Sequence, residues 1–107
     1  MTAQTAIRRM TNRIAKRFKP YKIVLFGSHA RGTAGPDSDV DLLVVMRLTS
    51  TRRQQATAID KSLMGIKMPA DVIVVTPEDV ERCKDQIGSI IRPAMREGKV
   101  VYERQDR

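Results

Sequence analysis

Apolar residues in the first eighteen positions fall at Ala3, Ile7, Met10, Ile14 and Phe18, with spacings of four, three, four and four. That is one face of an α-helix, predicted over residues 2–18, with Thr2 as its cap and Pro20 as its stop. The pattern then changes. Lys22–Phe26 and Val40–Met46 are short apolar runs, rich in β-branched residues and bounded by turn formers, and both read as buried strands. Period 3.6 returns over Leu48–Lys67, where Ala56, Ile59, Leu63 and Ile66 make the inner stripe. Thr49 or Ser50 is the expected cap, Gly65 and Pro69 end the segment, and Arg52, Arg53 and Lys61 lie off the stripe towards solvent.

Ala70–Val75 is a third apolar strand, and Thr76-Pro77-Glu78-Asp79 is a helix start: a threonine cap, proline at the first helical position and acids in the first turn. Val80 and Cys83 are expected to face inward. A last helix is predicted over Ser89–Glu97, with Ile87, Ile90, Ile91 and Met95 apolar and Gly98 as its stop. Lys99–Glu103 then forms a short strand. The elements add up to an α/β domain, a mixed sheet of three or four strands with helices packed mainly on one face.

The chain of 107 residues has the length of one domain, 1–107, with 41% hydrophobic and 4% aromatic residues. Such a length leaves little surface for a separate acceptor-binding unit. One cysteine, Cys83, excludes an internal disulfide and fits a reducing cytoplasm. No apolar run has the length of a membrane span.

Charge changes the picture more. The net charge is +8, and residues 1–36 hold eight Lys or Arg and no acid, so the excess sits in the N-terminal third. A basic helix face of this kind attracts RNA, an acidic protein partner or a nucleotide, or simply keeps the surface solvated. With so few aromatic residues, single-strand stacking is poorly supported, and direct nucleic-acid binding is not the favoured reading.

The candidate chemistry lies between the first two strands. Asp39 and Asp41 are two residues apart at the start of the second strand, so they project to one face while Val40 and Leu42 project to the other. Paired carboxylates on an apolar strand repel each other and lose hydration, and a hard divalent cation compensates both costs. Ahead of them, Gly27-Ser28 follows a strand directly. If Ser28–Arg31 make a first helical turn, its N–H groups, the Ser28 hydroxyl and the Arg31 guanidinium suit phosphate. Gly35-Pro36-Asp37-Ser38 is a turn, and Asp37 is read as part of it. His29, the only histidine, is expected to be exposed on the short helix. Asp71 opens an otherwise apolar strand, where metal binding, base catalysis or a strand-end ion pair could each explain it.

Gly27-Ser28-His29-Ala30-Arg31-Gly32 followed by Ser38-Asp39-Val40-Asp41-Leu42 resembles the signature of the polymerase-β-like nucleotidyltransferase superfamily, with every fixed position present. The short chain resembles its minimal nucleotidyltransferase branch, many of whose members are antitoxins of HEPN ribonuclease toxins. The resemblance implies an ATP donor held by Gly27, Ser28, Arg31 and Ser38. It also implies two Mg²⁺ ions on Asp39 and Asp41, with Asp71 as the third carboxylate. By the same resemblance, the acceptor is a hydroxyl, commonly a tyrosine, on a HEPN toxin partner. A non-catalytic antitoxin that occludes its toxin, and an enzyme acting on a small molecule such as an aminoglycoside, remain as alternatives.

Overall fold

A computed structural model describes residues 2–105. Helix α1 spans Ala3–Phe18, and its Thr2 cap accepts the Thr5 N–H. It ends where Lys19 adopts a left-handed conformation just before Pro20. Ala6, Met10 and Ile14 are fully buried, as the stripe requires. Burying side chains of the last two kinds stabilises a fold by about 1.5–3 kcal/mol each.

Strands β1 (Lys22–Phe26), β2 (Val40–Val45), β3 (Ala70–Val75) and β4 (Lys99–Glu103) form one sheet in the order β3-β2-β1-β4. β1 is antiparallel to β2, with Phe26 opposite Asp41, and antiparallel to β4 across an irregularity at Ile23/Val24. β2 and β3 are parallel, with Val40 opposite Ala70 and Asp41 opposite Asp71. A parallel pair needs a crossover, and α3 (Arg52–Ser62) supplies it.

Alternation along the strands sorts the core into two clusters. Ile23, Leu25, Val40, Leu42, Val44 and Val74 join Met10 and Ile14 of α1 and Ile59 of α3 in the larger one. Val24, Leu43, Val45 and Val75 point the other way, onto Ile91 and Ala94. That second, smaller cover comes from α4 (Pro77–Cys83) and α5 (Ile91–Glu97). Most of the helical layer therefore lies on one face, as expected. The odd-numbered positions of β2 and β3, including both aspartates, belong to the thinly covered face.

Several boundaries differ from the sequence expectation for local reasons. Helix α3 starts at Arg52 because Thr51 and Gln54 close a capping box, which Thr49 and Ser50 cannot do with their own third neighbours. The Thr49 hydroxyl instead donates to Gln55 at 2.8 Å. α3 stops at Ser62, and the chain through Gly65, with φ 93°, is a series of turns rather than helix. α5 starts at Ile91 rather than Ser89, whose hydroxyl accepts the Arg92 N–H at 3.1 Å. Ile87 is 84% exposed and takes no part in the core. Arg52 was expected in solvent, yet it donates to the Val74 carbonyl at 3.1 Å and to Asp79 at 2.7 Å.

Candidate active site

The β1–β2 connection folds tightly around the start of β2. Gly27 has φ 75° and caps the four-residue helix α2 (Ser28–Arg31). Its carbonyl accepts the N–H groups of Ala30 and Arg31, both at 3.1 Å. The N–H groups of Ser28 and His29 open the helix and have no carbonyl of a preceding turn to bond. Gly32, with φ 78°, closes it.

Glycine is required at position 27 for two reasons. The left-handed φ strains any side chain, and a β-carbon there would overlap Oδ2 of Asp41. The Asp41 carboxylate thus lies against the bare backbone of the turn. The antiparallel register explains it, since Asp41 sits opposite Phe26, the residue before Gly27.

Asp41 is half-buried, whereas Asp39 and Asp71 are exposed. Burial above all, then the Asp71 carboxylate and then that of Asp39, pushes the Asp41 pKa above its ordinary value. His29 and Arg31 lower it, but the upward causes win. Asp41 therefore feels the charge of both other sequence-predicted acids. Among the described residues, however, no group of three or more His, Cys, Asp or Glu is assembled tightly enough to enclose a metal ion. Mg²⁺ commonly takes only one or two protein carboxylates and completes its shell with substrate phosphates and water. An under-compensated pair at Asp41 and its neighbours fits that donor set.

Around the acids the phosphate-binding candidates divide. Ser28 and Arg31 lie on α2, with Arg31 exposed. Ser38 is engaged in its own turn: its hydroxyl accepts the Gly35 N–H at 2.9 Å. His29, expected on the outside, is half-buried, with Nε2 3.2 Å from the Ser38 carbonyl. That bond ties α2 to the residue just before Asp39, a role the sequence does not mark because the partner is a main-chain carbonyl. Asp37 is an exposed turn residue, as read from the sequence.

A wide cleft of about 700 Å³ lies elsewhere. Tyr21, Lys22, Val45, Arg47, Glu103 and Arg104 help line it, at the opposite end of the strands. Val45 is four positions beyond Asp41 along β2, which is roughly 13 Å. Arg104 stacks over the Tyr21 ring, 4.6 Å from its centre, and also donates to the Lys19 carbonyl.

Known proteins share both sequence and fold with this chain. The chain is 33% identical over 91 residues to a Methanocaldococcus jannaschii protein named "putative protein adenylyltransferase", a match covering 78% of this chain. The chain spans 59% of that relative's length. Among solved structures, a "putative nucleotidyltransferase" from Sulfolobus solfataricus superposes with a TM-score of 0.64 at 18% identity, over 94% of this chain and 79% of that one. A toxin-antitoxin crystal structure with AMP-PNP superposes with a TM-score of 0.54 at 22% identity, covering 97% and 76% of the two chains. A mutant of the toxin-antitoxin MntA-HpeT gives 0.50 at 21% identity, covering 98% and 76%. These likenesses establish a shared fold. The nucleotidyltransferase domain family matches residues 7–106, nearly the whole chain, and the protein belongs to that family.

Proposed function

We propose that the protein transfers AMP from ATP to a hydroxyl of a partner protein, a toxin that this chain counteracts. The single observation that carries the chemistry is Asp41 pressed against Gly27, with Asp39 and Asp71 raising its pKa. Burial and the two neighbouring carboxylates outweigh the partial compensation that His29 and Arg31 give Asp41 beside the Gly27 turn. Support for the acceptor class comes from the adenylyltransferase name of the archaeal relative and the toxin-antitoxin neighbours.

In this reading Ser28, Arg31 and the first N–H groups of α2 hold the triphosphate, and Gly27 lets the Asp41 carboxylate lie against the same turn. Asp39, Asp41 and Asp71 would hold Mg²⁺, which supplies charge neutralisation at the phosphates and acidifies the acceptor hydroxyl. The acceptor oxygen attacks the α-phosphorus, the bond to the bridging oxygen breaks, and pyrophosphate leaves. Asp71, exposed at the strand end, takes the hydroxyl proton. A tyrosine of a HEPN-type toxin is the acceptor that fits the family resemblance.

Intact-mass spectrometry of the protein encoded beside this gene tests the proposal after incubation with this protein, ATP and Mg²⁺. A gain of one or more AMP units, lost with Asp39→Ala/Asp41→Ala, is expected. A stable complex that gains no mass would replace transfer with simple occlusion.

A further inference from the structure

β3 is a terminal strand of the sheet, and Asp71 stands on it. In a parallel ladder alternate residues turn both backbone groups to the same side. The Pro69 and Val75 carbonyls accept from Val40 and Met46 of the β2 segment at 3.0 and 2.9 Å. Positions 71, 73 and 75 therefore face β2, and Ala70, Val72 and Val74 turn their polar groups outward. Val74 confirms this phase, because its carbonyl accepts from Arg52 on the outer side.

That contact closes one half of the edge. Arg52 is itself fixed by Asp79 at 2.7 Å, so a held guanidinium occupies the outward position farther from the site. Among the described residues no comparable side-chain hydrogen bond reaches Ala70 or Val72, the outward pair flanking Asp71. Open edges invite strand addition, and proteins commonly block them. Here one half is blocked and the half beside the carboxylates is not.

The groove along that open half has a distinct charge. It measures about 250 Å³ and is lined by Ala56, Thr57, Asp60, Ala70, Asp71 and Val72. In a chain with 20 Lys and Arg, this lining holds two carboxylates and no cation.

We infer that this edge docks the acceptor as an extended basic segment, added beside β3 with its hydroxyl residue level with Asp71. The inference deepens the proposed transfer reaction and rests on it for the identity of the site. A strand added about 4.8 Å outside β3 places the residue opposite Asp71 on the same face as Asp71. Its two neighbours project to the other face, over Thr57 and Asp60 of α3. A cation–hydroxyl–cation pattern is therefore selected, with main-chain bonds supplying affinity and Asp60 supplying specificity.

The probes are two blocked peptides, Thr-Lys-Tyr-Lys-Thr and Thr-Glu-Tyr-Glu-Thr, and copies of the first N-methylated at the tyrosine amide or at the lysine amides. Binding to the full chain is read by calorimetry and by amide exchange at Val72, and transfer is read by peptide mass with ATP and Mg²⁺. The basic peptide should bind at least about tenfold more tightly than the acidic one and protect the Val72 amide. One of the two methylated copies should lose binding, according to strand direction. Asp60→Lys should erase the charge preference. Val72→Pro removes the outward N–H without touching the ladder, so it should cost about tenfold in peptide binding at unchanged ATP affinity. Methylated copies that all bind like the parent, or a basic preference that survives Asp60→Lys, would overturn the inference. Docking that shows these dependences but yields no AMP gain would uphold it while removing the transfer reading. AMP gain independent of Val72 and Asp60 would do the opposite.

Discussion

Asp41 and Asp79 are the same side chain on opposite sides of the chemistry, and the fold treats them oppositely. Asp79 is buried at the third position of α4, where the Thr76 N–H donates to it at 2.9 Å. Arg52 and Arg82 add bonds of 2.7 and 2.8 Å. The Thr76 N–H above all, then the two guanidinium groups, outweighs burial and holds its carboxyl far below the usual range. Asp41 is surrounded by burial and two further carboxylates, and its pKa moves up. One carboxylate is satisfied by folding. The pKa of the other is left raised by burial and like charge, the kind of shift that marks a candidate functional acid.

Substitution can break this contrast. Asp41→Asn should reduce AMP transfer by about 10³-fold or more, since charge at the reacting phosphates is the main catalytic resource of such a site. Its melting temperature should stay level or rise, because a repelled charge is removed. A melting point lowered in step with activity would place Asp41 with Asp79, among the structural acids. Asp79→Ala, conversely, should cost about 1.5–3 kcal/mol in urea unfolding by undoing a capping box and leaving two guanidinium groups unpaired. Its transfer rate per folded molecule should hold.

Smaller effects sharpen the comparison further. The depressed Asp79 pKa makes its contribution fully present above the unfolded carboxylate pKa of about 3.9 and progressively lost as pH falls below it. Wild-type stability should therefore fall below about pH 4, and Asp79→Asn should flatten that limb of the curve. Asp41 has the opposite sign: its raised pKa makes the free protein slightly more stable as pH falls towards the carboxylate range. Millimolar Mg²⁺ near pH 7 should offset the repulsion and raise the melting temperature by a few degrees, an effect missing in Asp39→Ala/Asp41→Ala. The smallest expected effect is that of Arg52→Ala, about 1 kcal/mol, because its side chain is 51% exposed and the ion pair is partly screened.

Much of this was legible in the chain. The two periodicities placed α1, the four strands and the carboxylate pair, because burial on a helix stripe or a strand face leaves a repeat in the sequence. Gly27, Asp39 and Asp41 were legible because their types and spacing are unusual for a plain turn. What escaped notice depended on partners distant in sequence. Arg52 lies off its helix stripe and reads as solvated until β3 brings Val74 within reach, 22 positions on. The thinner second cluster, under α4 and α5, also gives little sign, since those helices have only seven residues each. His29 looked free because its partner is a main-chain carbonyl, and carbonyls carry no mark in a sequence.

The pairing of Lys22 with Glu103 has a consequence for the order of assembly. During synthesis β1, β2 and β3 emerge together and can associate early, with the aspartates already in register. β4 completes the other edge of β1 only after β2, β3 and the helices between them and β4 have been made. Closing a loop that long is slow relative to forming the β1–β2 hairpin. For that interval the nascent protein holds its carboxylate strands while one flank of β1 is still bare, which makes β4 the element that sets how long the newborn chain stays vulnerable to misassembly.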